Sequence, residues 1–382
     1  MKIKFRDLSI QYETIKHEID KSIAEVVSSS NFILGPQVSE LEGKLAEYVG
    51  MKHCISCASG TDALVLSLMG WGIGKGDAVF VPDFTYIASA SSAMLCGATI
   101  VLVDVEEKTF NIDPVALEKA ITKTVENGKL NPKVIIPVDL FGLPADHVSI
   151  RKIADRYSLK VLEDGAQGFG GMIGDRRACS FGDVGITSFF PAKPFGCYGD
   201  GGAIFTNDDE FSDTIRSLRA NGHVKDDKYD NVVVGFNSRL DTLQAAVLLA
   251  KFDNFKYKEI IDVNKVAAYY TKFLKDVVIT PTIPEGYLSS WAQYTILLKN
   301  EVERNGLKEY LASKDIPSMV YYPKGIHQQT VIKKAGFNVG EYPNTEKLIQ
   351  RCLSLPLYPY MTEEEVFCVI KVVKEYLKFG EI

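Results

Sequence analysis

Residues 54–81 read CISCASGTDALVLSLMGWGIGKGDAVFV. The stretch opens on a short apolar run, Cys54–Ala58, and passes through Ser59-Gly60 into a helical pattern over Thr61–Met69. It then turns through Gly72-Ile73-Gly74-Lys75-Gly76-Asp77 into a second apolar run, Ala78–Val81. A strand, a helix and a strand in this order make a crossover unit, because two parallel strands need a connection that carries the chain back to the same end of the sheet.

The same texture continues outward. Further candidate strands lie at Ile100–Asp104, Val134–Asp139, Lys160–Asp164 and Ala203–Thr206. Helical patterns fall between and after them at Ile87–Leu95, Pro114–Ile121, Val148–Tyr157 and Glu210–Ala220. Repeated alternation predicts the α/β class, with a mainly parallel sheet covered on both faces. In such sheets ligands gather beyond the carboxyl ends of the strands. The polar segment Gly222–Phe236 reads as a long exposed loop, and a helix carrying Leu240, Leu243, Ala246 and Val247 follows it. Past about residue 255 the pattern changes. A lysine-rich helix precedes Pro281 and Pro284, and a strand at Ala292–Leu298, a helix at Leu307–Ser313 and a strand at Ser318–Tyr322 come next. Thr362 and Glu365 form a capping box that opens a last helix. The expected division is a large unit over 1–255, including an N-terminal arm, and a smaller C-terminal α/β unit over 256–382.

Composition narrows the function. The chain has 382 residues, a net charge of −6 and a pI near 5.6. An acidic chain lacks the basic face that nucleic-acid binding needs. No apolar run reaches the length of a membrane span, and Met1-Lys2-Ile3-Lys4-Phe5-Arg6 is not a signal peptide, so the cytoplasm is the expected compartment. Seven cysteines, scattered without framework spacing, predict free thiols. Cys54 and Cys57 lie three apart on a candidate strand, so they face opposite ways and do not make a metal or redox pair. No metal site is expected.

The chemistry concentrates in Thr187-Ser188-Phe189-Phe190-Pro191-Ala192-Lys193-Pro194-Phe195-Gly196-Cys197-Tyr198-Gly199-Asp200-Gly201-Gly202. Lys193 sits among phenylalanines, which predicts desolvation and a lowered amine pKa, and Pro194 biases it toward an extended backbone. A lysine lying over a core strand is the plain alternative. Four other pieces favour the reactive amine. Asp164 ends the apolar run Lys160-Val161-Leu162, where a carboxylate can hold a ring nitrogen protonated. Ser59-Gly60-Thr61 opens a helix after a strand, which suits a phosphate. Tyr86 sits at another strand-to-helix junction as a stacking face. Asn237-Ser238-Arg239 opens the helix near Leu240. Each has an ordinary explanation as a turn, cap or core residue. Together they supply what pyridoxal 5′-phosphate requires.

These residues resemble the sugar-nucleotide aminotransferases of the DegT/DnrJ/EryC1/StrS family. The similarity runs from Asn31-Phe32-Ile33-Leu34-Gly35-Pro36 through Ser59–Leu64, Glu163-Asp164, Ser188–Lys193 and Asn237–Leu240 to Tyr321-Tyr322-Pro323. It implies a fold type I pyridoxal-phosphate transferase with a seven-stranded sheet. It also implies that Lys193 binds the cofactor covalently and moves the proton, and that Asp164 pairs with the pyridine nitrogen. Gln167 would lie near the ring hydroxyl, Tyr86 would stack on the ring, and Gly60, Thr61 and Ser188 would hold the phosphate. Asn237 would reach that phosphate from the second subunit of a homodimer with shared sites. Tyr321 and His327 fall on the sugar-nucleotide side, and Arg239 suits a uronate carboxylate.

Two departures stand out: Gly165 where alanine or cysteine is usual, and Pro194-Phe195 after the lysine. The second is similar to the branch that aminates C3 of UDP-2-acetamido-2-deoxy-3-oxo-glucuronate with L-glutamate as donor, for bacterial surface polysaccharide. Rival readings are amination at C4 or C3 of a UDP- or dTDP-keto-6-deoxyhexose and a non-catalytic cofactor-binding regulator. A 3-dehydratase is disfavoured because that branch has histidine at the lysine position. A nicotinamide oxidoreductase is disfavoured because no Gly-x-Gly-x-x-Gly follows the first strand.

Overall fold

The computed structural model describes residues 3–224, 227–337 and 340–379. Three helices, α1 (Leu8–Thr14), α2 (Lys16–Ser29) and α3 (Pro36–Val49), precede the first strand. The alternation then unfolds as β1 (His53–Cys57), α4 (Gly60–Gly70), β2 (Asp77–Pro82), α5 (Ala88–Leu95), β3 (Thr99–Val103), α6 (Pro114–Asn127), β4 (Asn131–Ile135), α7 (His147–Tyr157) and β5 (Lys160–Asp164). Two short strands, β6 (Met172–Ile173) and β7 (Arg176–Arg177), lead to β8 (Val184–Ser188), β9 (Gly202–Thr206) and α8 (Asp209–Leu218).

Seven of these strands form one sheet in the order β1-β9-β8-β5-β4-β2-β3. Only β9 runs against its neighbours β1 and β8; the other pairings are parallel. Alternating side chains of β2 explain the two-sided cover. Val79 and Val81 enter one buried cluster, Ala78 and Phe80 another. Cys54 and Cys57 likewise point into different clusters, and the seven cysteines form no disulfide.

Three expectations need correction. The segment expected to be a loop holds a hairpin, β10 (His223–Val224) and β11 (Asp227–Asn231); Lys225 and Asp226 of the same segment lie outside the described residues. Polar side chains obscured it, because a two-stranded ribbon in solvent needs no apolar face for its backbone bonds. Ser318–Tyr322 is not a strand, since Met319 alone pairs with Ser354. The segment Val134–Asp139 leaves regular pairing after Ile135, at Pro137, which has no N–H to donate. The chain rejoins β5 at a bridge between Val138 and Asp164.

Helices α9 (Thr242–Asn254) and α10 (Ile260–Leu274) connect to the C-terminal part. There a short β12 (Tyr287–Leu288) pairs with β6, and β13 (Tyr294–Leu297) pairs antiparallel with β14 (Cys352–Leu355). Helices α11 (Glu301–Ser313), α12 (Thr330–Lys334), α13 (Pro343–Arg351) and α14 (Glu363–Phe379) complete it. The capping box is present: Thr362 N–H donates to Glu365 Oε2 at 2.9 Å, and Glu365 N–H to Thr362 Oγ1 at 3.2 Å. A separate core built around Tyr270, Tyr294, Leu307, Leu353 and Val369 also takes in Ile3, so the start of the chain packs into the C-terminal part. No described helix is long and apolar enough to cross a membrane.

Candidate active site

The carboxyl ends of β5 and its parallel neighbour β8 carry Asp164 and Ser188. Asp164 is buried. Its Oδ2 accepts from Ser89 Oγ at 2.7 Å and its Oδ1 from the Ala166 amide at 3.2 Å. Burial raises its pKa, while the Ser89 and Ala166 donors and the charge of Lys193 oppose that rise. Ser89 lies on α5, shortly after Tyr86. Its role was not legible in sequence, because a serine near the start of a helix ordinarily bonds its own backbone.

Five residues after Ser188 comes Lys193, half-buried on the loop between β8 and β9. Burial pushes its amine down to about 8; Asp164 pulls it back up, and the Arg6 guanidinium adds to the depression. Arg6 also donates from Nη2 to the Lys193 carbonyl at 3.2 Å. Of the flanking phenylalanines, Phe189 and Phe195 are buried and pack edge to face at 5.9 Å in a core cluster, while Phe190 is half exposed.

Across from Ser188, α4 begins at Gly60. Ser59 Oγ caps the Asp62 amide at 3.0 Å, and the amides of Gly60 and Thr61 have no acceptor among the described residues. A Cβ at Gly60 would lie 2.7 Å from the Ser188 Cβ. Only glycine lets the helix start come so close to the strand end, and the result is a pair of free amides beside a hydroxyl. That cradle fits a phosphate. Ser238 ties the next segment to it, accepting from the Ala58 amide at 3.1 Å and donating to Asp62 Oδ2 at 2.6 Å. Asn237 beside it is exposed, and Arg239 Nε is buried without a partner among the described residues.

The remaining wall is aromatic. Tyr86 is 56% exposed and stands 6.4 Å from Tyr322, whose hydroxyl accepts from Gln167 Nε2 at 3.0 Å. Gln167 Oε1 in turn accepts from the Phe141 amide at 2.8 Å. Tyr322 therefore reaches the site from the C-terminal part, while its neighbour Tyr321 packs against Phe5 at 6.2 Å. His327 is held inside the protein at both ring nitrogens: Nδ1 is 2.6 Å from Asp83 and Nε2 is 2.9 Å from Glu346. Behind Asp164, Asp139, His147 and Glu163 cluster closely enough to share a metal ion. Protein groups engage Glu163 and Asp139 Oδ1, while Asp139 Oδ2 and His147 Nδ1 are buried without a hydrogen-bond partner among the described residues. Glu163 accepts the amides of Cys179, Phe181 and Gly182, and Asp139 accepts from Ala145 and pairs with His147. The cluster serves as a buried hydrogen-bonded floor under the strand end, with burial raising Asp139 to about 7 and Glu163 to about 8.

An amine kept close to neutrality in the field of a buried carboxylate, one strand from a phosphate cradle, belongs to the pyridoxal-phosphate enzymes of the aminotransferase fold. The particular group follows from comparison. The chain belongs to the DegT/DnrJ/EryC1/StrS aminotransferase family, which it matches over residues 13–374. It is 45% identical to a UDP-2-acetamido-2-deoxy-3-oxo-D-glucuronate aminotransferase of Pseudomonas aeruginosa, over 94% of this chain and 96% of that one. A relative in Geobacillus stearothermophilus, 40% identical over 99% of both chains, is named a pleiotropic regulatory protein. Among solved structures, a Brucella abortus aminotransferase of the family superposes with a TM-score of 0.95 at 47% identity, covering 98% and 99% of the two chains. The DesV enzyme of S. venezuelae, in complex with a ketimine intermediate, superposes at 0.92 with 34% identity, covering 99% of each. The protein is a pyridoxal-phosphate-dependent sugar-nucleotide aminotransferase.

Proposed function

We propose that this aminotransferase moves the amino group of L-glutamate to C3 of UDP-2-acetamido-2-deoxy-3-oxo-glucuronate, in the cytoplasm, for a bacterial surface polysaccharide. The observation that carries the reading is the placement of Lys193, on the loop that follows β8, in the field of Asp164 at the end of the adjacent strand β5. The substrate rests on the identity to the Pseudomonas enzyme along nearly the whole chain.

Bound pyridoxal phosphate supplies the electron sink for the carbon that loses its proton. Lys193 would provide the attaching amine, and its Nζ would move the protons, off the amino-donor carbon in one half-reaction and onto the aminated sugar carbon in the other. Asp164 would keep the ring nitrogen protonated, with Ser89 and the Ala166 amide fixing its orientation. The amides of Gly60 and Thr61 and the Ser188 hydroxyl would hold the phosphate, Tyr86 would cover the ring, and Gln167 would serve its hydroxyl. Asn237 acts from the second copy of a homodimer. That arrangement accounts for its exposure and for Phe32, Ile33 and Leu34 lying 44, 50 and 42% open in the single chain. Arg239 meets the uronate carboxylate, Tyr321 faces the sugar nucleotide, and His327 holds the wall on that side. Residues 1–255 form the large cofactor-binding unit of this reading and 256–382 the small C-terminal unit, into whose core Ile3 of the N-terminal arm packs.

The test is a panel of keto-sugar nucleotides with glutamate as donor. Amination of the 3-oxo-glucuronate, with poor turnover of 4-keto- and 3-keto-6-deoxyhexoses, supports the reading; the reverse preference overturns the substrate. The Geobacillus name favours one rival, a non-catalytic regulator. A regulator would bind the cofactor without converting to its amino form when glutamate is added, and an absorbance spectrum separates the two.

A further inference from the structure

One cavity among the described residues lies away from the catalytic residues. It is a groove of about 950 Å³ at the opposite end of the sheet, where β5 and β8 begin and β9 ends, walled by α7 and the start of α8. Lys160 begins the strand that Asp164 finishes, so the groove and the catalytic carboxylate are about 13 Å apart along β5. A volume of this size accommodates a small-molecule ligand much larger than a single phosphate.

Its lining has two parts. One is cationic: Arg151, Lys152, Lys160 and Arg176 against the carboxylates of Asp183 and Asp208. Both acids are already used. Asp183 pairs with Arg151 at 3.2 Å and accepts the Val161 amide, while Asp208 caps α8 through the Phe211 amide. Lys152, Lys160 and Arg176 have no carboxylate partner among the described residues. The other part is planar. His147 stacks on Phe181 at 4.7 Å with 12° between the rings, and the Arg176 guanidinium lies over the same phenylalanine at 4.9 Å. Arg176 is exposed, so this column presents a flat guanidinium to the groove. Trp71 also lines the groove, tilted against Phe211 at 5.4 Å and with the Lys160 ammonium 6.0 Å from its ring.

We propose that this groove is a second nucleotide site, which takes a nucleoside diphosphate with its base stacked on the Arg176–Phe181 column and its phosphates on Lys152 and Lys160. A guanidinium plane stacks on a heteroaromatic base as it does on an aromatic side chain. Lysine ammonium groups neutralise phosphates as point charges without needing a fixed geometry. The site lies at the amino ends of the strands, and its occupancy is independent of the cofactor. The Phe181 amide also bonds Glu163, next to Asp164 in the chain, so the groove abuts the floor of the catalytic site.

Equilibrium dialysis of the holoenzyme with UDP tests this, alongside tryptophan fluorescence. The chain has two tryptophans, and Trp291 is buried in the C-terminal core. Two UDP per chain are expected, one of them quenching Trp71. Lys152→Glu with Lys160→Glu should weaken the quenching site roughly tenfold or more, leave the other UDP bound, and leave the spectral response to glutamate unchanged. Arg176→Ala should do the same and stands in if the double variant misfolds. Quenching that is lost in Trp71→Phe supports the location. The proposal is overturned if millimolar UDP gives no quenching, or if the charge reversals leave the quenching affinity as it was. Failure of the catalytic-site reading would instead remove the UDP that does not quench.

Discussion

Lys193 takes its character from neighbours distant in the chain. Burial lowers its pKa, Asp164 resists, and Arg6, 187 positions away, reinforces the fall. Lys193→Ala should reduce transamination by about 10²–10⁴-fold or more, and the absorbance of covalently held cofactor should vanish; an active alanine variant contradicts the assignment. Arg6→Met tests the electrostatics. An amine attacks only in its neutral form, so cofactor capture by the apoprotein should fall as pH drops through about 8. Removing the Arg6 cation raises the lysine pKa, which moves that limb to higher pH. A limb left in place by Arg6→Met would show that the guanidinium acts only through its hydrogen bond to the backbone. That Lys193 is desolvated was readable from its apolar flanks. Arg6 was not, because nothing local marks an arginine of an N-terminal arm as a neighbour of a loop so far along the chain.

Among the elements, α3, β1 and the end of α8 are joined by one buried ionic cluster. Arg219 donates to Glu42 at 2.7 Å and to the Ser56 carbonyl at 2.6 Å, and Arg216 adds a second contact to Glu42 at 2.9 Å. Burial alone would raise the Glu42 pKa, but the two arginines more than reverse it, so the carboxyl titrates below its usual range. A depressed carboxylate stabilises the fold above its unfolded pKa, and that contribution is lost as pH falls through the folded value. Arg219→Ala should cost about 3 kcal/mol in chemical denaturation, because a buried charge loses its main partner. Replacing Glu42 and Arg219 together by methionine should recover most of the loss; equal losses in the single and double variants would mean that packing, not charge, is at stake. Helix starts such as Ser59 and Thr362 were legible in the sequence because a cap is satisfied within three residues. The β10–β11 ribbon was not, since its side chains carry no alternation of apolar and polar.

Across the whole molecule, His327 links the large sheet to α13. Its backbone N–H and Nδ1 engage Asp83 beyond the end of β2, its Nε2 engages Glu346, and Tyr342 stacks on its ring at 4.9 Å. His327→Phe keeps the stacking and removes both ring hydrogen bonds. It should cost about 1–3 kcal/mol and speed amide exchange over 343–351. Sugar-nucleotide affinity should weaken more than the glutamate half-reaction, whereas equal losses in both would place His327 in the shared chemistry. The strand–helix alternation, the two-sided sheet, the cap at Ser59 and the desolvated surroundings of Lys193 were all determined by the sequence itself, because each depends on the periodicity or chemistry of residues within a few positions. Tertiary structure alone decided that Ser89 orients Asp164, that Arg6 tunes Lys193, that Tyr322 rather than Tyr321 reaches Gln167, and that His327 bridges the two parts. Those contacts join residues 75 to 244 positions apart, and such separations are set by the path of the chain through the sheet, which no local pattern encodes.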